Sequence, residues 1–465
     1  MDYSKQLEEG SIGRLLIKFS IPAIVGMVVG ALYNIVDRIF VGRGVGSLAI
    51  AGTTVVFPIM LIIMAFSLLV GMGASSLISI RLGEKRKEDA ELIAGNALLL
   101  LIIISFALSI PGLLFITPLL QLFGASNDVL PYASDYLRII LLGAVLFGIS
   151  LGLNNFIRAE GNPRTAMYTM LIGAVANIIL DYCFIFMLGL GIKGAALATV
   201  IAQGISAVWV LHYFLWGRSF LKIRWRNLKP EPLVIRQIFI MGFPPFAMQL
   251  VDSVKQVVLL KSLGIYGGDP AISAMGIIFS VSTILVMPVI GISHGAQPII
   301  GYNYGAGHRK RIKETLKSAI AASTLILSVG FVFTRLFPEA IIGLFVKNDM
   351  QLVTLGCHGL LTVFLFLPVV GFQVVGSIYF QSVGKPKQAT ILTLSRYILI
   401  YIPALLILPH FWGLEGVWRA APFADLGSFI LTGILLFYEF KRLDSKAETL
   451  QGSMPVNYFK VKRSR

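Results

Sequence analysis

Apolar residues run through this chain in long blocks separated by short polar stretches. The blocks fall at 15–41, 48–80, 92–116, 131–158, 165–188 and 192–216, then at 236–262, 270–302, 314–337, 351–382, 388–409 and 414–438. A helix that crosses the hydrocarbon core takes roughly 20 residues, so each block is long enough to span. Lipid offers the backbone no water to bond, and a helix satisfies its own N–H and C=O groups. The pattern predicts an all-α membrane protein with twelve transmembrane helices. The longest blocks must tilt, bend or protrude, and Pro22, Pro58, Pro244, Pro245, Pro288, Pro298 and Pro368 are candidate kinks.

A polar stretch between the sixth and seventh blocks carries Arg218, Lys222, Arg224, Arg226 and Lys229 with Pro230 and Pro232. It divides the chain into an N-terminal lobe (1–216), a linker (217–235), a C-terminal lobe (236–438) and a polar, basic tail (439–465) expected to be mobile. The lobes repeat. A shift of 222 residues lays Arg14 on Arg236, Pro22 on Pro244, Gly73-Ala74 on Gly295-Ala296 and Gly83 on Gly305. Gly191-Ile192-Lys193-Gly194 meets Gly413-Leu414-Glu415-Gly416 at the same shift, and Gly161 meets Gly384 one residue later. Each lobe has an even number of helices, so both share one orientation. They should be related by a pseudo-two-fold axis along the membrane normal, with a cleft between them.

Composition agrees with the pattern: 56% of residues are apolar and only 13% charged, which excludes a soluble enzyme or a small binding module. The net charge of +16 could suggest nucleic acid, but its distribution suggests topology. With the N-terminus inside, 29 of the 39 Lys and Arg residues fall in cytoplasmic segments and six (Arg38, Arg43, Lys193, Lys261, Arg335 and Lys347) in external ones. Both termini are therefore expected in the cytoplasm of a multi-pass protein of the cytoplasmic (inner) membrane. Met1 to Gly10 carries Glu8 and Glu9, and the first block is too long for a signal-peptide core, so no cleavable leader is expected. Cys183 and Cys357 are isolated thiols, without disulfide or metal spacing.

Charges at membrane depth are expensive and mark function. Asp37 lies about one helical turn from the outer end of its block, and Asp181 and Thr199 about two turns in, near 10 Å. Asn177 precedes Asp181 by four residues and shares its helix face. Two carboxylates, an amide oxygen and a hydroxyl thus reach a similar depth in the N-terminal lobe. Two close carboxylates in a low dielectric hold a proton or bind a hard cation through oxygen; H⁺ and Na⁺ both fit. The alternative is that Asp37 and Asp181 cap helix ends or pair with Arg38 and Arg43. Asp252 and Lys255 lie three apart in the seventh block, either as an acid for a cationic ligand or as a self-neutralising pair. Arg396 is about 12 Å from its inner end and Asp425 about 14 Å, which predicts an interhelical salt bridge.

The stretch Gly291-Ile292-Ser293-His294-Gly295-Ala296-Gln297-Pro298-Ile299-Ile300-Gly301-Tyr302-Asn303-Tyr304-Gly305 resembles a signature of the MATE (multidrug and toxic compound extrusion) family. Arg158-Ala159-Glu160-Gly161-Asn162-Pro163, Gln381-Ser382-Val383-Gly384-Lys385-Pro386 and Asn177-Ile178-Ile179-Leu180-Asp181 carry the same resemblance. It covers about residues 10–440 and is nearest to the MepA-like bacterial members. The resemblance implies a two-lobe antiporter that exports cationic or amphipathic drugs in exchange for H⁺ or Na⁺, working as a monomer. It places the coupling site on Asp37, Asn177, Asp181 and Thr199, with no metal beyond a possible Na⁺. It also implies substrate contacts at Tyr33, Tyr136 and Asn154, joined by Asp252, and a bend at Pro22. His294, inside the signature, is read as a hydrogen-bonded packing histidine or as a group titrating near neutrality. The acid that NorM-like members carry in the tenth helix is missing from block 351–382.

No Walker A motif and no His-Glu-x-x-His motif are present, so no ATP drive, cofactor or enzyme activity is expected. A lipid-linked precursor flippase of the same superfamily would need a more basic cavity. A membrane enzyme would need a nucleophile or metal cluster, and a channel would not need the repeat.

Overall fold

A computed structural model describes residues 10–449, apart from 124, 126, 218 and 345–349. The first six spans are α1 (Ile12–Gly44), α2 (Ser47–Gly83), α3 (Lys87–Leu114), α4 (Leu130–Ala159), α5 (Pro163–Met187) and α6 (Gly191–Leu215). Then follow α7 (Pro232–Gly268), α8 (Pro270–Gly305), α9 (Arg309–Leu336), α10 (Met350–Val363 with Leu367–Ser382), α11 (Pro386–Trp412) and α12 (Leu414–Thr449). These are eleven spans plus one helix pair bent by 50°, by length and composition. Short helices Ile116–Leu122 and Pro338–Gly343 precede α4 and α10, and their first residues keep the 222-residue shift.

Local chemistry sets the breaks. Gly268 has φ +63°, a left-handed conformation that glycine adopts without cost, and it separates α7 from α8. The bend in α10 falls where Pro368 opens its second half, as expected of a residue that starts helices and cannot continue them. Two π-helical turns, Tyr182–Met187 in α5 and Ser395–Tyr401 in α11, have no counterpart in the hydrophobic pattern. Such turns shift the side-chain register and concentrate at functional sites.

The linker lies at one end of the bundle, here called the inner end, and packing differs between the ends. Toward the outer end the halves have separate cores. One unites Val41, Val56, Leu137, Ile140 and Ile192; the other unites Leu263, Met275, Ile278, Phe364 and Trp418. Toward the inner end the cores are shared. Val70, Ile78, Leu101 and Phe156 pack with Ile238, Met241, Ile299 and Tyr302, while Leu16 joins Ile292, Ala296 and Ile300. The halves are thus sealed at the inner end and parted beyond it.

Glycines permit that seal. A β-carbon on Gly83 would stand 2.0 Å from the Tyr302 carbonyl oxygen, and one on Gly305 would stand 2.1 Å from that of Ile80. Each contact is the other displaced by 222 residues, so the pseudo-two-fold axis passes between them. A β-carbon on Gly242 would fall 1.7 Å from the Leu69 oxygen, and Ser20 takes the equivalent place against Gly295. Gln297 donates from Nε2 to Ser76 Oγ at 3.0 Å across the same seam.

The linker is strapped to the N-terminal half. Glu160, 2% exposed just past α4, accepts hydrogen bonds from the Tyr213 hydroxyl, from Ser219 Oγ at 2.7 Å and from the Leu221 N–H at 3.2 Å. Glu91 accepts from the Lys222 N–H at 3.2 Å, and Asn96 Oδ1 from the Glu231 N–H at 2.7 Å. Helix α12 continues through Thr449, and its buried Glu439 pairs with Lys385, which removes the carboxylate from solvent. Residues 450–465 lie outside the described residues.

Two outcomes are expected. Leucine at Gly242 overpacks the seam at a cost of about 1–3 kcal/mol. In a Cys183→Ser/Cys357→Ser background, that change should speed thiol labelling of Ser76→Cys by about tenfold or more; an unchanged rate contradicts the seal. The second concerns pH. Burial pushes the Glu160 carboxyl up to about 7, with bonds from Tyr213, Ser219 and Leu221 opposing the rise. A raised acid pKa means that docking favours the protonated form. Its contribution is full below the ordinary carboxylate value and is lost as pH rises through about 7. Hydrogen exchange at the Leu221 amide, corrected for intrinsic rate, should therefore accelerate as pH rises from the ordinary carboxylate range to about 7, level off above it, and lose that dependence in Glu160→Gln. Equal pH dependence in both proteins rules this out.

Candidate functional site

The most demanding polar cluster lies between α1, α4, α5 and α6 in the N-terminal half. Asp37 is seven residues from the outer end of α1, Asp181 six from that of α5, and Thr199 eight from that of α6. Asp37 is deeper than its apolar block implied, because α1 continues through Arg43 to Gly44. The three side chains therefore share one level, about 10 Å in along each helix. Tyr136, six residues into α4, stands at the same level.

The cluster is dry. Asp181 is fully buried, Asn177 is 2% exposed, Tyr136 4% and Thr199 8%. Asn177 Nδ2 donates to Thr199 Oγ1 at 3.4 Å, and the Tyr136 hydroxyl is within hydrogen-bonding reach of Thr199. The Asp181 carboxyl faces that of Asp37 closely enough for the two to share a proton. Neither Asp181 oxygen receives an N–H or O–H donor, and neither does the Asn177 amide oxygen. Three buried acceptor oxygens, four residues apart on α5, thus receive no donor. Burying acceptors without partners is costly, and a shared proton or a bound cation removes the cost. All these ligands are hard oxygens, which suits H⁺ or Na⁺ and not a thiophilic metal. Among the described residues, no group of three or more His, Cys, Asp or Glu is arranged to hold a metal ion.

The other residues singled out by sequence divide between places. Tyr136 and Tyr33 belong to the surroundings of the carboxyl pair, since both lie within electrostatic reach of one another and Tyr136 of both acids. Asn154 is elsewhere: it is buried and donates to the Ala166 carbonyl at 2.8 Å, fastening α4 to α5. Pro22 sits inside a continuous α1, between Ser20 and Ile24, the two residues that approach Gly295 and Gly291 of α8. Asp252 pairs with Lys255 on α7, and Arg396 Nη2 donates to Asp425 Oδ1 at 2.6 Å between α11 and α12. His294 lies within electrostatic reach of Arg158, whose guanidinium donates to the Met170 sulfur at 3.2 Å.

Two features escaped the sequence reading. Tyr136 joins the acids, which counting residues from the start of α4 would have indicated. Tyr397 of α11 lies under both Lys255 and Arg396, placed there by a π-turn that the pattern does not signal. Two stretches spelled Gly-x-Ser-x-Gly, at 148–152 and 291–295, lie inside α4 and α8. A nucleophile elbow needs a strand-to-helix turn instead.

Comparison with known proteins gives the fold a lineage. The MatE family model matches residues 22–183 and again 244–407, two segments whose starts differ by the same 222-residue shift. The multidrug export protein MepA of Staphylococcus haemolyticus (strain JCSC1435) is 31% identical over 412 residues, 88% of this chain and 90% of that one. MepA of Staphylococcus saprophyticus is 28% identical over 448 residues, 96% of this chain and 98% of that one. A solved structure described as the outward-facing conformation of a multidrug resistance MATE family transporter superposes with a TM-score of 0.89 at 26% identity, covering 95% of this chain and 98% of that chain. Another, of a MATE protein in the bent conformation, superposes equally well at 26% identity, covering 97% and 99%. A repeated family match over most of both halves, joined to relatives and structures of near-complete coverage, establishes that this chain belongs to the MatE family of transporters.

Proposed function

We propose that this chain is a secondary antiporter of the cytoplasmic membrane, with both termini inside, that exports cationic or amphipathic compounds in exchange for H⁺ or Na⁺. The observation that carries the coupling half of this reading is the donorless set of buried oxygens on Asp181 and Asn177, facing Asp37. The export half rests on the relatives, which are multidrug export proteins.

The geometry suggests how the two halves communicate. With the site empty and both acids ionised, like charges repel across a dry gap. A proton or Na⁺ draws α1 toward α5 and α6. Helix α1 also forms part of the inner seam through Ser20 and Ile24. Helix movement at Asp37 is therefore transmitted to the contact that seals the halves, with Pro22 as the weak point in the α1 hydrogen-bond ladder. Coupling requires the cation and the substrate to prefer different arrangements of that seam. Substrate enters the cleft between the outer cores, where Asp252 offers a negative charge. The protein operates as a monomer, since both halves of the site lie in one chain.

In proteoliposomes, Asp37→Asn and Asp181→Asn should each reduce gradient-driven ethidium transport to near the protein-free level while the protein remains folded. The loss of a coupling carboxyl is expected to reach at least about a hundredfold, as for other groups that act as a unit. Running proton and sodium gradients separately identifies the ion. Undiminished transport by both variants would remove the coupling site from these residues.

A further inference from the structure

Charges inside the C-terminal half are paired: Asp252 with Lys255, Asp425 with Arg396 and Glu439 with Lys385. Arg158 of the N-terminal half breaks that pattern. It is 9% exposed and stands one residue from the inner end of α4. Among the described residues its guanidinium makes one hydrogen bond, to Met170 Sδ at 3.2 Å, and no ion pair. A thioether is a weak acceptor, so most of the guanidinium N–H donors are left unused. An arginine at a helix end ordinarily turns toward the water beyond it. This one turns into the bundle: Met170 lies seven residues, about 10 Å, from the inner end of α5. A buried charge without a counter-charge is costly.

Neighbouring acids are placed elsewhere. Glu160, two residues on, leaves the helix about 200° away and is bound by Tyr213, Ser219 and Leu221. Met170 packs against Gly26 of α1, and Asp37 lies eleven residues, about 16 Å, beyond Gly26. What faces Arg158 across the inner seam is another base. His294 of α8 stands within its electrostatic reach and is hydrogen-bonded to Gln297, which donates to Ser76 of α2. Two basic side chains from opposite halves thus meet, and among the described residues neither is paired with an acid. A β-carbon on Gly26 would fall 2.7 Å from Met170 Sδ, so the thioether fills the space that this glycine leaves. A flexible methionine gives that space up at low cost.

We propose that Arg158, with His294 across the seam, binds a small monovalent anion of the size of chloride that bridges the two halves. Arg158 carries one permanent positive charge, which a monovalent anion neutralises. A divalent oxyanion would exchange an excess positive charge for an excess negative one in the same low dielectric. The anion takes the N–H donors that the Met170 sulfur leaves unused, through stronger, charge-assisted bonds. Both basic groups reach it only while the inner seam is closed, so the anion binds the sealed arrangement better and shifts the protein toward it.

The test uses purified full-length protein in a maltoside detergent, with sodium chloride replaced by sodium gluconate at fixed sodium and ionic strength. The thermal unfolding midpoint should rise saturably with chloride. In the Cys183→Ser/Cys357→Ser background, thiol labelling of Ser76→Cys should be about tenfold slower in chloride than in gluconate. Bromide and formate should replace chloride, and sulfate should not. Arg158→Met should lose both responses, and Met170→Leu, which removes the competing sulfur, should keep them. Arg158→Lys should weaken the apparent chloride affinity about tenfold, since an ammonium does not reproduce the guanidinium fork. Equal chloride responses in wild type and Arg158→Met overturn the site, as does a wild type indifferent to chloride or equally responsive to sulfate. If Arg158→Met does not fold, Arg158→Lys decides: a chloride affinity equal to that of wild type overturns the proposal.

Discussion

The rest of the structure hangs on the close approach of backbones at the inner seam. Helices α1 and α2 touch α7 and α8 where Gly73, Gly83, Gly242, Gly291, Gly295 and Gly305 remove the side chains that would hold them apart. Without aqueous driving force between helices in lipid, such close packing supplies the attraction. It also decides the shape. Because the seam uses only the inner ends, the outer cores of the two halves stay separate, and a cleft between them follows. The 222-residue repeat makes the seam reciprocal, so one packing solution is used twice around a single axis.

On that scaffold the halves diverge in charge. The N-terminal half collects acceptor oxygens that receive no donor, on Asp181 and Asn177, and sets them near Asp37. The C-terminal half balances acids with bases, pairing Arg396 with Asp425 and Asp252 with Lys255. An acceptor-rich site wants a cation, whereas a balanced one is stable alone and changes partners at little cost in net charge. This division suits a machine in which one half holds the coupling ion and the other meets the substrate. The linker joining the halves is no slack tether. Its backbone is bound by Glu91, Asn96 and Glu160, so the N-terminal half holds the start of α7 in place.

Much of this was legible in the sequence because lipid imposes a simple rule on the backbone. Twelve apolar blocks, the repeat and the even helix count followed from hydropathy and counting alone. Asp37, Asp181, Asn177 and Thr199 were legible as a group because helical rise converts residue number to depth. Asp37 was set too shallow because Arg43, a polar residue, ended the apolar block before the helix ended. The π-turns were not legible, since they change register without changing composition; Tyr397 was missed for that reason. Burial of Glu439 was not legible, since it depends on Lys385 from another helix. The bond from Asn154 to the Ala166 carbonyl was not legible, since no side-chain pattern reveals a backbone partner.

The central claim is that substrate and coupling ion compete through the carboxyl pair. It is tested most directly by mixing purified protein with a saturating cationic dye in weakly buffered, sodium-free solution and recording proton release, then repeating with radioactive sodium bound. Wild type should release a proton or the bound sodium as the dye binds, and protein lacking both Asp37 and Asp181 carboxylates should bind dye and release neither. Dye binding to wild type with no release of either ion would contradict the account.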